Sequence, residues 1–162
     1  MKFRCPLILV EDMERSKRFY QTVLGQTIKY DFRQNVLFEG DFCLHEKKHF
    51  AALVRLNEEA IGEAANNVEL YFEEDEFDAF LFRLEQMPDI CYLHRCRVSP
   101  WGQRVVRFYD PDGYLIEVGE SMTNVAKNFL AQGIALEDVA LRTQYPLAFV
   151  EQCYEELKLQ RK

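Results

Sequence analysis

The feature that most constrains the fold is an internal repeat. The segment "CPLILVEDMERSKRFY" (residues 5–20) aligns with "NVELYFEEDEFDAFLF" (67–82) when Val10 is placed on Phe72. In both segments an apolar strand pattern ends in acidic residues, and a helical pattern with matching aromatic positions follows. A repeat of this size predicts two supersecondary units that must pack against other layers to bury their sheet faces.

Each copy continues with three short alternating segments that predict strands. They are residues 26–32, 35–40 and 41–47 in the first copy, and residues 89–98, 103–110 and 113–120 in the second. The stretch between the copies, 48–66, has little periodicity and predicts a connection with at most a short helix over 57–65. We therefore expect an α+β domain over 1–120, built from two βαβββ modules at about 1–47 and 67–120.

Residues 121–162 follow a different pattern, that of a helical extension. Three apolar periodic segments predict three helices, and Gly133 and Pro146 are the expected breakers.

The amino-acid composition limits the kinds of molecule that this protein can bind. The chain is 48% hydrophobic, which is enough for a core, and its formal charge of −7 repels nucleic acid and anionic membranes. Five cysteines form no CxxC pair, so neither a disulfide framework nor a structural zinc site is indicated. The apolar run near the N-terminus is too short for a signal peptide or a membrane span. These observations predict a cytoplasmic protein without membrane or nucleic-acid partners.

The stretch "RFYDPDGYLIEVGE" (107–120) combines a turn with a carboxylate in an apolar strand. Pro111 restricts φ, the flanking aspartates accept bonds from nearby backbone groups, and Gly113 tolerates a positive φ, so the turn has a local explanation. Glu117 does not. If Ile116 and Val118 face the helices, Glu117 points to the opposite face of the sheet.

Two segments, "VEDMERSKRFYQTVLG" and "PWGQRVVRFYDPDGYLIEVGE", resemble the vicinal oxygen chelate superfamily, which includes glyoxalase I, bleomycin resistance proteins and extradiol dioxygenases. The resemblance covers roughly the first 120 residues. It implies two paired βαβββ modules whose mixed sheet curls around a cleft, and a small molecule bound there through a divalent metal.

The resemblance also implies four metal-ligand positions, two on the first strands and two on the last. They fall on Cys5, Asn67, His45 and Glu117, with Cys43 or Glu46 as alternatives to His45 if the register slips. Only Glu117 matches cleanly, so we expect a degenerate metal site. No cofactor is required by this interpretation.

A displaced metal site is the alternative. Glu69 lies two residues beyond Asn67, and His45, Glu69 and Glu117 could together hold Zn, Ni, Mn or Fe. In a metal-dependent lyase, isomerase or dioxygenase, Glu117 and Glu69 would be the catalytic proton carriers. Equally, these carboxylates could form ion pairs with arginines; the candidates are Arg97, Arg104 and Arg107.

The leading interpretation is a small-molecule-binding protein. The residues expected to contact the ligand are Cys5, Asn67, His94, Trp101 and Arg107. His94 is either an acid or base or a hydrogen-bonded strand residue, and Trp101 is either a pocket wall or a packing anchor.

The extension has two interpretations. "GIALEDVALRTQYPLAFVEQCYEEL" resembles helix-turn-helix segments, which would make the protein a ligand-responsive regulator, but the extension carries no net charge and lacks the basic face of a DNA reader. We favour an apolar face that docks on the module or on a second copy, as in a homodimer. Its residues are Val125, Phe129, Leu130, Val139, Leu147, Val150 and Tyr154.

Overall fold

A computed structural model describes residues 1–62 and 66–160, except the side chain of residue 160. The strands are β1 (Leu7–Val10), β2 (Ile28–Asp31), β3 (Asn35–Phe38), β4 (Cys43–Glu46), β5 (Glu69–Glu74), β6 (Cys91–Val98), β7 (Arg104–Tyr109) and β8 (Leu115–Glu120). The helices are α1 (Met13–Thr22), α2 (Lys47–Val54), α3 (Phe77–Glu85), α4 (Met122–Ala131), α5 (Leu136–Thr143) and α6 (Leu147–Gln160), with a 3-10 turn at Glu58–Ala60.

The chain divides into two compact units. The first contains residues 1–69 and 109–115, and the second contains residues 70–108 and 116–162. Each unit holds one four-stranded sheet, with the order β1-β4-β3-β2 in the first and β5-β8-β7-β6 in the second. The identical order confirms the predicted α+β fold of two βαβββ modules.

The first sheet is mixed. Strand β1 runs parallel to β4, with Leu7 opposite Cys43, and β3 runs antiparallel to β4. Helix α1 begins after Asp12, whose carboxylate accepts a bond from the amide of Arg15. Tyr20 on α1 is fully buried, and its ring packs against those of Phe38 and Phe42, as its helical spacing predicted.

Asp110 organises the acidic turn. Its carboxylate accepts hydrogen bonds from the amides of Asp112 and Tyr114 at 3.0 and 2.8 Å, and from the hydroxyl of Tyr20 at 2.8 Å. Burial raises the pKa of Asp110, although its hydrogen-bond donors oppose that shift. The neighbouring Asp112 accepts from the hydroxyl of Ser16 at 2.7 Å and pairs with Arg15. The turn therefore does more than reverse the chain, because it anchors α1.

Helix α2 lies where a connection was predicted. It covers only eight residues and buries just Lys47 and Ala51. A helix this short, with a lysine on its buried side, has no readable apolar periodicity. The amine of Lys47 is satisfied by the carboxylate of Glu11 at 2.5 Å. The short helix predicted over 57–65 is replaced by the 3-10 turn at 58–60, and its last three residues lie outside the described part of the chain.

In the second unit, the apolar face of α3 buries Phe77, Phe80 and Leu84. Helices α4, α5 and α6 form a cluster of their own in the same unit. The buried members are Met122, Val125, Ala126, Phe129, Leu130, Val139, Val150 and Cys153. Trp101, in the loop between β6 and β7, packs against this cluster, so the extension docks on the second module. Leu147 and Tyr154, predicted for the same face, are each 39% exposed.

Gly102 lies at a close contact between the module and the extension. Its φ is +91°, and a Cβ built there would lie 2.3 Å from the ring of Phe129 on α4.

No helix among the described residues is long and apolar enough to cross a membrane.

We expect Gly102→Ala to destabilise the protein more than Gly133→Ala. Both glycines have a positive φ, +91° and +82°, but nothing lies within 4 Å of a Cβ at Gly133. Backbone strain should therefore cost about 1–2 kcal/mol in both variants, and the clash with Phe129 should add about 1–3 kcal/mol to the first alone. Urea denaturation measures the difference, and equal losses in the two variants would contradict the close packing.

Asp110 should make stability depend on pH. Since burial raises its folded pKa above the ordinary 3.8, its contribution is fully present below 3.8 and is lost as pH rises through the raised pKa. The stability of the wild type relative to Asp110→Asn should fall across that window and level off above it. Denaturation of both proteins over a pH series measures this, and a relative stability that rises through the window would refute the assignment.

Candidate functional site

A pocket of about 410 Å³ lies entirely within the second unit. It has the volume typical of small-molecule sites, roughly 300–1,000 Å³. Strands, a loop and the helical extension all contribute side chains to it. The lining residues are Tyr71, Trp101, Gln103, Glu117, Met122, Thr143, Gln144 and Tyr145.

Gln103 fixes the aromatic walls of this pocket. Its buried amide oxygen accepts a bond from the indole nitrogen of Trp101 at 2.9 Å. Its amide nitrogen donates to the hydroxyl of Tyr71 at 2.7 Å and to the carbonyl of Glu120 at 2.9 Å. A Cβ at Gly119 would lie 2.4 Å from that nitrogen, so only glycine leaves room for the amide. The rings of Trp101 and Tyr71 are therefore held before any ligand arrives.

Glu117 begins a row of polar side chains across three adjacent strands. Its carboxylate, on β8, forms an ion pair with Arg107 on β7. Nη1 of Arg107 lies 3.2 Å from Nε2 of His94 on β6, and Nδ1 of His94 lies 2.8 Å from the carbonyl oxygen of Arg95. Because a carbonyl only accepts, Nδ1 carries the proton and Nε2 accepts from Arg107. His94 is thus a hydrogen-bonded strand residue that orients Arg107.

Of the arginines that could have neutralised Glu117, Arg104 has other partners. It binds Asp78 at 2.6 Å and Glu120 at 3.0 Å, and these two carboxylates raise its pKa. Arg107 is therefore the arginine that compensates the charge of the buried Glu117, whose side chain is only 7% exposed.

The sequence matches a family model described as a glyoxalase-like domain over residues 3–123. The chain belongs to the glyoxalase-like family of the vicinal oxygen chelate superfamily. The match ends at the start of α4, so the rest of the extension lies beyond the family domain. A search of curated proteins finds no match.

Solved structures agree with this membership. A protein of unknown function from Agrobacterium tumefaciens is 42% identical, with a TM-score of 0.66, over 75% of this chain and 94% of the other. A lactoylglutathione lyase from the same organism is 24% identical, with a TM-score of 0.56, over 72% and 92%. The fosfomycin resistance protein FosX from Mesorhizobium loti is 20% identical, with a TM-score of 0.52, over 74% and 92%. The last two show the fold alone.

Members of the vicinal oxygen chelate superfamily often bind divalent metals. In this chain, Cys5 and His45, at two of the predicted metal-ligand positions, contact other side chains. The sulfur of Cys5 lies 3.0 Å from that of Cys43. Burial, together with the thiol of Cys5, raises the pKa of Cys43 to about 12. The raised pKa disfavours the thiolate form in which a cysteine binds a metal.

His45 is likewise engaged within the first unit. Its Nε2 lies 2.9 Å from Nδ1 of His49, and its Nδ1 lies 3.3 Å from the side-chain nitrogen of Asn35. Burial lowers the pKa of His45, and the neighbouring His49 acts in the same direction. Both ring nitrogens therefore already face polar neighbours.

The other predicted site residues, Asn67 and Glu69, are exposed. Within residues 1–62 and 66–160, no group of three or more His, Cys, Asp or Glu side chains is arranged to hold a metal ion. In the described part of the chain, the residues at the family's ligand positions thus do not fit a divalent metal. The displaced set of His45, Glu69 and Glu117 stays a prediction from the sequence.

Of the residues predicted from the sequence, Glu117 and Trp101 line the pocket, and Arg107 and His94 support Glu117. Cys5 belongs to the first unit. Six lining residues were not predicted from the sequence; they are Tyr71, Gln103, Met122, Thr143, Gln144 and Tyr145. Strand alternation could have indicated Tyr71, since it shares the parity of Glu69. Nothing local marks residues 143–145 beyond the helix break at Pro146.

We expect a double-mutant cycle on Arg107 and Glu117 to be strongly non-additive. Arg107→Leu leaves the buried Glu117 carboxylate without its cation, which should cost about 3–5 kcal/mol of unfolding free energy. Adding Glu117→Leu to that variant should restore most of the loss, because no buried charge remains. Guanidinium denaturation of the four proteins measures the coupling, and additive losses would refute the ion pair.

Proposed function

We propose that this protein binds a small organic molecule in the pocket of its second unit, without a divalent metal. One observation carries the proposal: Glu117, the residue that matches the family's metal-ligand position, lines an aromatic-walled pocket and is already neutralised by Arg107. A carboxylate paired in this way is a poor ligand for a cation but still offers an acceptor to a hydrogen-bond donor.

The lining side chains favour a flat, mostly apolar and uncharged ligand. Tyr71, Trp101 and Tyr145 offer aromatic surfaces, and Met122 adds a polarisable contact. Among the lining residues that the structure describes, only Glu117 carries a charge. A phosphate or carboxylate ligand would find no uncommitted cation there, so anionic substrates are disfavoured.

The helical extension supports this function because it completes the pocket wall. Thr143 ends α5, and Gln144 and Tyr145 begin the link to α6; Gln144 adopts a left-handed conformation with φ +61°. The Tyr145 ring packs against that of Phe149 at a centroid distance of 4.5 Å and a tilt of 43°, which restrains the tyrosine. An extension used in this way needs no DNA, and its acidic residues Glu151 and Glu155 are exposed on α6.

We expect neutral bicyclic aromatics such as indole, quinoline and naphthol to stabilise the protein, and glucose and inorganic phosphate not to. A ligand at one hundred times its Kd adds about 2.7 kcal/mol, which should raise Tm by roughly 5–10 °C. Thermal scanning measures this, and quenching of Trp101, the single tryptophan, reports contact with the pocket.

A matched pair of variants locates the binding site. Tyr145→Ala should weaken binding about tenfold, since it removes one aromatic wall worth about 1–1.5 kcal/mol. Tyr154→Ala should leave binding unchanged, because Tyr154 is exposed to a similar extent, 39% against 36%, and does not line the pocket. Equal effects of the two variants, or no stabilisation by any aromatic probe, would contradict the proposal.

A metal titration tests the competing enzyme function. Calorimetry with Zn²⁺, Ni²⁺, Mn²⁺ and Fe²⁺ should give no saturable heat at micromolar protein. Binding that Glu117→Gln abolishes would instead favour the metal-dependent lyase or isomerase.

A gel-shift experiment tests the regulator function. A shifted band with the gene's own upstream DNA at low salt would favour the regulator. The cytoplasmic location and the homodimer remain predictions from the sequence.

A further inference from the structure

The first unit contains a pair of thiols that the proposed function does not use. Sγ of Cys5 and Sγ of Cys43 are 3.0 Å apart, although 38 positions separate these residues in the chain. We propose that Cys5 and Cys43 are an oxidative modification site, and that a peroxide converts them into a reversible disulfide.

The backbone holds this pair together. Cys43 is the first residue of β4, and its amide donates to the carbonyl oxygen of Pro6 at 3.0 Å. Leu7 then pairs with Cys43 in the parallel ladder. Cys5 therefore immediately precedes a residue that is hydrogen-bonded to Cys43, and the two side chains meet beside the edge of that ladder. The proximity follows from the β1–β4 register and from the Pro6 hydrogen bond, which extends the pairing to the residue next to Cys5.

The separation of the sulfurs favours a disulfide over a bridging metal. A disulfide bond is about 2.05 Å long, so the sulfurs must approach by about 1 Å, which side-chain rotation can supply. A tetrahedral zinc with bonds of about 2.3 Å would instead push the two sulfurs apart to nearly 4 Å. It would also need further ligands, and the described residues offer no third His, Cys, Asp or Glu in a suitable arrangement.

The solvent exposure of the two cysteines indicates which thiol reacts with the peroxide first. Cys5 is half-buried, whereas Cys43 is only 5% exposed, so an oxidant in water reaches Cys5 first. The Cys5 thiolate attacks one oxygen of hydrogen peroxide, an S–O bond forms, the O–O bond breaks and hydroxide leaves as water after protonation. The product on Cys5 is a sulfenic acid.

The adjacent thiol then resolves this intermediate. The sulfur of Cys43 attacks the sulfenic sulfur, the S–S bond forms, the S–O bond breaks, and the thiol proton leaves with hydroxide as water. In total, two thiols and one peroxide give one disulfide and two waters. The two sulfurs together lose two electrons, which reduce the peroxide oxygens. A dithiol reductant reverses the change by exchange.

The remaining cysteines provide internal comparisons. Cys91 and Cys96 are exposed on β6, and Cys153 is buried in the helical cluster of the other unit. Neither exposed cysteine has a sulfur neighbour among the contacts that the structure describes. Peroxide should therefore carry Cys91 and Cys96 to sulfinic and sulfonic acids, while Cys5 and Cys43 stop at the disulfide.

The experiment uses the full chain with Cys91→Ser and Cys96→Ser, both exposed substitutions. After treatment with hydrogen peroxide and alkylation of free thiols, peptide mapping should find residues 5 and 43 joined, with the mass lower by two hydrogens. Dithiothreitol should restore the original mass. Cross-linking a loop of this length should also raise Tm by about 5–10 °C.

Adding Cys5→Ser to this background is the matched control, and it should show neither the cross-link nor the rise in Tm. The peptide map decides the question even if that variant folds poorly. The proposal is overturned if Cys5 proceeds to sulfinic acid without a cross-link, if Cys43 joins Cys153, or if both thiols stay reduced at peroxide doses that oxidise Cys91 and Cys96 in the wild type.

Discussion

The chemistry of the second unit depends on one buried charge and its partner. Glu117 lies in the middle of β8 with its side chain almost sealed from water, and a carboxylate in that position requires a compensating cation. Arg107 on the neighbouring strand supplies it, and His94 on the next strand orients the guanidinium. With Arg107 committed in this way, Glu117 is the one charged side chain among the described residues that line the pocket.

The pocket walls depend on a second buried polar group. Gln103 uses its amide oxygen on Trp101 and its amide nitrogen on Tyr71 and Glu120, so both ends of one side chain are satisfied. Gly119 provides the space for this amide, and Gly102 lets the loop approach Phe129. Gly102 thus allows the close contact between the family domain and helix α4, most of which lies beyond the family match.

The fold was readable from the sequence because its signals are local. Strand alternation, the Asp12 cap, the aromatic positions of both helices and the Asp-Pro-Asp-Gly turn each have a physical cause within a few residues. Helix α2 was not readable, since eight residues with a buried lysine carry no apolar stripe. For the site, strand alternation drew attention to Glu117, and the loop position of Trp101 marked it as a candidate pocket wall; both line the pocket. Alternation could not indicate Gln103, whose importance comes from partners that are 2 to 32 positions away.

By itself, the sequence determined the repeated βαβββ modules, the helical extension and the presence of a lone carboxylate on the last strand, because periodicity and turn chemistry act over short distances. The tertiary structure decided which arginine compensates Glu117, which side chains surround the pocket, and that Cys5 and Cys43 lie side by side. These are matters of strand order and packing between residues far apart in the chain, and no local pattern encodes them.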